Sequence, residues 1–282
     1  MNKQIENISN TIDYIENHLT EKLSLEIIAL ALNYSKYHLH RLFKKTVGMT
    51  IHDYILRRKL SEAAKYLVFS HRSILEIALL SGYESQQAFS FSFKQMYKKS
   101  PNQYREDQIY YPLQLKYTLH PLLESDNTKT DWENKINYAT LNDITKWMDL
   151  VTLIIDGFPN LQEKEYLLIL REAINNKQAF ILYEKEIAIG IMIFNYSTGS
   201  IDFFGVHPQF RQKQIEQAFI NKILKLWNND IIITTFREQD KADLHQRQTI
   251  KQLGFLEAEL LYEYGYPTQK FILFNKEDYY NE

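Results

Sequence analysis

The sequence predicts a multidomain chain. An all-α first domain with two helix-turn-helix motifs is followed by an α/β (α+β) domain around a central, mostly antiparallel sheet. Three observations predict this. A length of 282 residues suits two units of roughly 100–150 residues rather than one. Two stretches of the first hundred residues repeat each other at helical spacing. From about residue 179 the apolar residues alternate instead, the period of a strand.

Composition narrows the classes. With 45% hydrophobic and 24% charged residues, both halves can bury a core. The chain has 20 Tyr and 16 Phe but no Cys, which excludes disulfides, thiolate metal sites and a thiol nucleophile. MNKQIENISN lacks the apolar stretch of a signal peptide, and no apolar run approaches ~18 residues, so a soluble, cytoplasmic protein with no membrane partner is expected. The net charge of −2 conceals an asymmetry: residues 1–107 hold 15 Lys/Arg against 11 Asp/Glu, and residues 108–282 hold 18 against 24. Within 36–72 the count is nine basic to two acidic. That excess suits a polyanion-binding surface on the first half, although a merely solvated helical face gives the same count.

The repeat pairs SLEIIALALNYSKYHLHRLFKK, from Ser24, with SILEIALLSGYESQQAFSFSFKQ, from Ser73. Ala29 aligns with Ala78 and Tyr34 with Tyr83; Phe43 then aligns with Phe93, one extra residue having entered the second copy. Each copy reads as helix, tight turn, helix. Leu25, Ile28, Ala29 and Leu32 fall at i, i+3, i+4, i+7, an apolar stripe facing inward. Asn33 and Gly82 stand where the turn needs a left-handed backbone. Ser35 and Ser85 are placed to cap the following helices. The second helix of the first copy buries Leu39, Leu42 and Phe43 and leaves Lys36, Tyr37, His40 and Arg41 outside. A long helix, IHDYILRRKLSEAAKYLVFS, joins the copies and carries Arg57, Arg58 and Lys59.

Two tandem motifs on such a connector are specific. Through LSLE, YSKYHL, FKK, GYESQQ, SFK and SP–YR, residues 5–105 resemble the DNA-binding domain of the AraC/XylS family of bacterial transcription regulators, above all its MarA, Rob and SoxS branch. The resemblance implies a seven-helix domain whose two recognition helices, held ~34 Å apart, enter successive major grooves. Carried over by position, Tyr37, His40 and Arg41 face base edges, and the Arg41 guanidinium suits guanine O6 and N7. The second helix offers Gln86, Gln87, Ala88, Ser90 and Phe91, with either glutamine able to pair with adenine. Phe91 departs from the arginine of related regulators, so the first helix is expected to dominate specificity. Lys36, Lys44, Lys45, Lys94 and Arg105 are assigned to phosphate. His38, His52 and His71 lack metal-site spacing and read as surface histidines; no metal is expected.

The domain of residues 1–107 is followed by a linker, 108–134, in which Pro112, Pro121 and SDNTKT break the helical rhythm. Residues 135–282 then read as helices near 143–156 and 162–175, and three antiparallel strands in AFILYEKEIAIGIMIFNYSTGSIDFFGV. Their turns are expected at Glu184–Lys185 and Ser197–Gly199. A helix is expected from Pro208 to Trp227, a strand in IIITTF, a helix in ADLHQRQTIKQLGF, and two closing strands. That order, with VHPQFRQKQIE between the fourth strand and the third helix, resembles the GNAT acetyltransferase fold over roughly 137–275.

The resemblance implies a loop whose backbone N–H groups hold pyrophosphate at a helix N-terminus. Arg211 matches its motif, but Gln214 and Glu216 stand where small residues are usual, obstructing the phosphate and adding a like charge. The family's general-acid tyrosine is replaced by Ile250 and an asparagine by Asp243; Asp202 is the remaining acid, at a strand start. No catalytic residue and no cofactor are therefore assigned, and acetyl-CoA is not expected to bind. The expected function is a sequence-specific regulator whose second domain senses an effector or mediates assembly, with promoter DNA, RNA polymerase, a small effector and a second copy as partners. The suspected pocket is the cleft between strands four and five; Phe203, Phe204 and Phe236 lie near it, although core packing explains these rings as well. The alternatives are a bifunctional regulator that still transfers acetyl groups, and a second domain that serves only as a dimer contact.

Overall fold

The computed structural model describes residues 3–120, 123, 130–154, 163–211, 214–263 and 265–275. They fall into two compact units, with the division between Glu124 and Ser125.

The first unit is helical. Helices α1 (Lys3–Asn17), α2 (Leu25–Ala31), α3 (Lys36–Val47), α4 (Ile51–Phe69), α5 (Ile74–Leu80), α6 (Gln86–Tyr97) and α7 (Pro101–Asp107) follow one another. Serine or threonine hydroxyls start most of them, accepting backbone N–H groups that would otherwise be orphaned: Ser24, Ser35, Thr50, Ser73, Ser85 and Ser100. The repeat is exact at the turns. Tyr34 N–H donates to the Ala29 carbonyl at 2.8 Å, and Tyr83 N–H donates to Ala78 at 3.0 Å. Asn33 (φ 56°) and Gly82 (φ 75°) both adopt the left-handed conformation expected of them. Of the inward stripe in α2, Ile28 and Ala29 are buried, while Leu25 and Leu32 are half-buried.

Helix α4 is not the basic surface rod that its composition suggests. Arg57, Arg58 and Lys59 are all buried. Arg58 makes a two-pronged bridge to Glu16 of α1, Nε to Oε1 at 2.8 Å and Nη2 to Oε2 at 2.7 Å, and Tyr54 donates to the same carboxylate at 2.8 Å. Burial pulls the Arg58 pKa down, but the hydrogen bonds and charge of Glu16 outweigh it and the net shift is upward. Arg57 Nη1 and Arg58 Nη1 donate to the carbonyls of Leu113 and Gln114, and Ser61 Oγ accepts both of their N–H groups, at 2.9 and 3.0 Å. The Tyr117 ring stacks on Tyr54. The chain beyond α7 is thus strapped along α4. Phe93, Tyr97, Tyr104 and Tyr111 pack ring against ring beneath it.

The second unit is a seven-stranded sheet in the order β1-β2-β3-β4-β5-β7-β6. Its strands are β1 (Asn137–Tyr138), β2 (Ala179–Glu184), β3 (Ile187–Asn195), β4 (Ser200–Val206), β5 (Ile231–Phe236), β6 (Leu256–Glu263) and β7 (Tyr266–Leu273). Helices α8 (Ile144–Ile154), α9 (Glu163–Asn175), α10 (Ile215–Leu224) and α11 (Gln246–Gln252) pack on it. All pairings are antiparallel except β4 with β5, which are parallel and meet only at Ser200–Ile232 and Ile201–Ile233. Past that point the two strands are no longer paired. Trp147 of α8 is fully buried and donates to Tyr166 of α9 at 2.9 Å. Gly190 leaves room for the Phe219 ring of α10, which lies where a Cβ would stand.

Several expected boundaries move. The β2–β3 turn consists of Lys185 and Glu186, both at positive φ, rather than Glu184–Lys185. Pro208 opens only a three-residue 3-10 turn, Pro208–Phe210, and α10 begins at Ile215. Likewise α11 begins at Gln246, after His245 at φ 71°. Pro121, residues 125–129 of SDNTKT, residues 155–156 and 162 of the two expected helices, and residues 212–213 lie outside the described residues. No described helix is long and apolar enough to cross a membrane.

Breaking one side of a buried ion pair leaves the other charge stranded in the interior, at a cost of about 3–5 kcal/mol, whereas an exposed pair is worth under ~1 kcal/mol. Glu16→Ala is therefore expected to destabilise the first unit severely. Lys116→Ala, at the exposed Lys116–Asp13 bridge, should be nearly silent in the same denaturant titration.

Candidate nucleic-acid interface and cofactor loop

Helices α3 and α6 are the two reading candidates, and they are built alike. Each has twelve residues. Each is capped at the same place, with Ser35 Oγ accepting His38 N–H and Ser85 Oγ accepting Ala88 N–H, both at 3.2 Å. Each buries one face, Leu39, Leu42, Phe43 and Val47 in α3 and Phe89, Phe93, Met96 and Tyr97 in α6. A helix so anchored presents its other face as a fixed row.

On α3 that row holds Tyr37, which is 85% exposed, with Arg41, Lys44 and Lys45 also exposed and His40 half-buried. Tyr37, Arg41 and Lys44 fall at i, i+4 and i+7, one stripe of the helix. Lys36 is exposed but forms an ion pair with Glu26 of α2. The hydrogen bond from Lys36 lowers the pKa of the Glu26 carboxyl and raises that of the Lys36 ammonium. On α6, Gln86, Gln87, Ala88 and Lys94 are exposed, Ser90 is half-buried, and Phe91 is 68% exposed. Phe91 occupies the position equivalent to Arg41. Its ring is exposed, as are several other large apolar side chains among the described residues.

Arg105 stands apart from this group. Its guanidinium donates to the Leu67 and Arg72 carbonyls, at 3.3 and 2.6 Å, tying α7 to the end of α4. Its geometry is that of a brace. The three inward cations of α4 likewise leave the basic surface smaller than nine charges would make it. His38, His52 and His71 are exposed, and His52 lies beside Asp53. Among the described residues no group of three or more His, Asp or Glu is arranged to hold a metal ion.

In the second unit, Arg211 is half-buried and Gln214 sits at φ 62°, φ 62° being a backbone shape that glycine adopts freely. Glu216 lies in the first turn of α10. Burial raises its pKa, against the pull of backbone N–H and of Arg211. Ile250 is a core residue. Asp243 accepts the N–H groups of Gln246 and Arg247, starting α11, and burial pushes its pKa up. Asp202 is exposed and accepts from Ser200 and Asn195.

Phe203, Phe204 and Phe236 follow the core-packing alternative. Phe203 packs on Tyr166 of α9 and Phe204 on Phe219 of α10, so the alternation of β4 sends them to opposite faces of the sheet. Phe236 packs on Tyr266. Sequence reading missed Arg247, which is buried, donates to the Phe236 carbonyl and to Gln269, pairs with Glu257 and lies over the Phe271 ring. Nothing in its local pattern separates it from a surface arginine.

Comparison with known proteins bears on the first unit. A family model described as a helix-turn-helix domain matches residues 28–107. The HTH-type transcriptional activator AarP of Providencia stuartii is 44% identical over 98 residues, 35% of this chain and 73% of that protein. The chain belongs to the AraC/XylS family. The HTH-type transcriptional regulator YbfP of Bacillus subtilis is also 44% identical over 98 residues, but the match covers only 33% of its length. For the second unit, an acetyltransferase of the GNAT family from Bacillus cereus aligns at 14% identity and a TM-score of 0.40, covering 50% of this chain and 96% of that one.

Glu216 gives a test of the loop. Its folded pKa is raised above the ordinary 4.5, so the folded state binds more protons in that window and stability falls as pH rises through it. Glu216→Gln is expected to stabilise the second unit in urea at neutral pH. The gain should vanish once the acid is protonated in both states, at about pH 3.

Proposed function

We propose that this AraC/XylS-family chain is a sequence-specific transcription regulator that reads two successive major grooves of promoter DNA with α3 and α6. The observation that carries the reading is the matched pair of serine-capped helices, each pinned on one face and presenting exposed side chains on the other. In this reading Tyr37, His40 and Arg41 meet base edges from α3, and Gln86, Gln87, Ser90 and Phe91 do so from α6. Lys36, Lys44, Lys45 and Lys94 lie against phosphate, and Arg105 acts indirectly by holding α7. The bare ring of Phe91 suits a thymine methyl where a guanidinium would suit guanine. RNA polymerase is the partner a regulator of this kind would engage.

The second unit is proposed as a non-catalytic module for an effector or for assembly. Two features support this over acetyl transfer. Glu216 already sets a carboxylate at the start of α10, where an incoming diphosphate would need bare N–H groups. Ile250 and Asp243 are committed to the core and to starting α11. One observation favours the enzyme reading: the Gln214 backbone keeps the left-handed shape of a glycine loop.

Arg41→Ala is expected to weaken binding to a selected duplex by about 1–3 kcal/mol and to relax the preference at one base pair, whereas Lys44→Ala should weaken all duplexes evenly and flatten the salt dependence. Anisotropy titrations on single-base variants separate the two, and an Arg41→Ala protein with wild-type affinity would remove α3 as a reader. Calorimetric titration with acetyl-CoA is expected to give no heat of binding; micromolar affinity would overturn the non-catalytic assignment.

A further inference from the structure

Lys59 is the third inward cation of α4, and its surroundings differ from those of the other two. Its ammonium donates to the Glu21 carbonyl at 2.7 Å, in the loop that leads from α1 into the first motif. The same ammonium lies against Gly82, the turn residue of the second motif. A Cβ at that position would overlap Lys59 Nζ and stand 3.2 Å from the Glu21 oxygen. One buried cation on the connecting helix therefore touches the entry to one motif and the turn of the other. On the surface beside it, Lys22 bridges Glu84 at 3.1 Å, across the same two segments.

A single helix fixes the distance between two attached motifs, but each can still swivel about its own end. A charge-assisted hydrogen bond to a main-chain carbonyl is directional and about twice as strong as a neutral one. Here it closes the gap between Glu21 and Gly82, and only a residue without a Cβ lets the turn approach so near. Lys59 pays the cost of burial, which lowers its pKa, without a carboxylate partner of its own.

We propose that Lys59 is a positioning residue for DNA reading: it clamps the Glu21 loop to the Gly82 turn and so fixes the spacing and phase at which α3 and α6 meet the duplex. The proposal rests on the two-groove reading above. A lysine that served stability alone would weaken binding to every duplex in proportion. A clamp also governs how sharply the protein rejects a wrong spacing.

The test uses the full chain and duplexes that the wild type enriches from a random pool, with one base pair inserted between the half-sites. Such an insertion shifts the second half by about 3.4 Å and turns it by about a tenth of a helical turn. The wild type is expected to lose about tenfold or more in affinity on insertion, and Lys59→Met, which keeps the stem and removes the charge, less than about threefold; Lys59→Arg should restore part of the discrimination. An insertion penalty as steep in folded Lys59→Met as in the wild type overturns the clamp and leaves two-groove reading standing. Should Lys59→Met fail to fold by circular dichroism, Lys59→Gln, uncharged and too short to close the same contact, is read in the same ratio and by the same criterion. A wild type that enriches only single half-sites removes the two-groove reading, and the clamp with it.

Discussion

The first unit depends on charge turned inward. A carboxylate from α1, Glu16, meets a guanidinium from α4, Arg58, largely shielded from bulk water, and Tyr54 completes the arrangement. Desolvating two ions is expensive, and the attraction offsets that cost only when geometry and further hydrogen bonds are good. Here the bridge has two prongs and the remaining guanidinium donors reach the Gln114 carbonyl and Glu62. The arrangement orients α1, α4 and the strap together. Apolar packing alone would favour their association without choosing one register.

Given that frame, α3 and α6 need little else. Capping serines set where they begin, aromatic and aliphatic side chains fix one face, and the other is left to vary. The repeat has diverged on that outer face. Where α3 has Arg41, α6 has Phe91, and the buried faces keep Phe43 and Phe93 in register. Buried scaffold and exposed face are thus separable in this unit, the first held by packing and the second open to substitution at small structural cost.

Much of this was legible in the sequence because it is local. The Ser-capped starts, the Asn33 and Gly82 turns, and the inward Leu39, Leu42 and Phe43 all follow from spacing within ten residues. Arg57, Arg58 and Lys59 were misleading for the opposite reason. Their partners, Glu16, Leu113 and Glu21, are 38 to 56 residues away, and no local period marks a cation that will be buried. In the second unit the strand alternation announced the sheet, but Pro208 announced a helix that begins only at Ile215. Proline fits the first turn of a 3-10 segment as well as that of an α-helix. Phe203 and Phe204 suggested a shared pocket, yet neighbouring residues of a strand face opposite ways.

The strap along α4 has a consequence for where the first unit ends as a physical object. The last helix closes at Asp107, and a boundary drawn there by eye would look clean. It would also remove the Leu113 and Gln114 groups that satisfy Arg57, Arg58 and Ser61, and expose the rings that Tyr111 and Tyr117 cover. The smallest fragment able to hold its own shape therefore extends to about Leu119, a dozen residues past its final helix. Any transplant of this unit onto another partner domain has to take that tail with it.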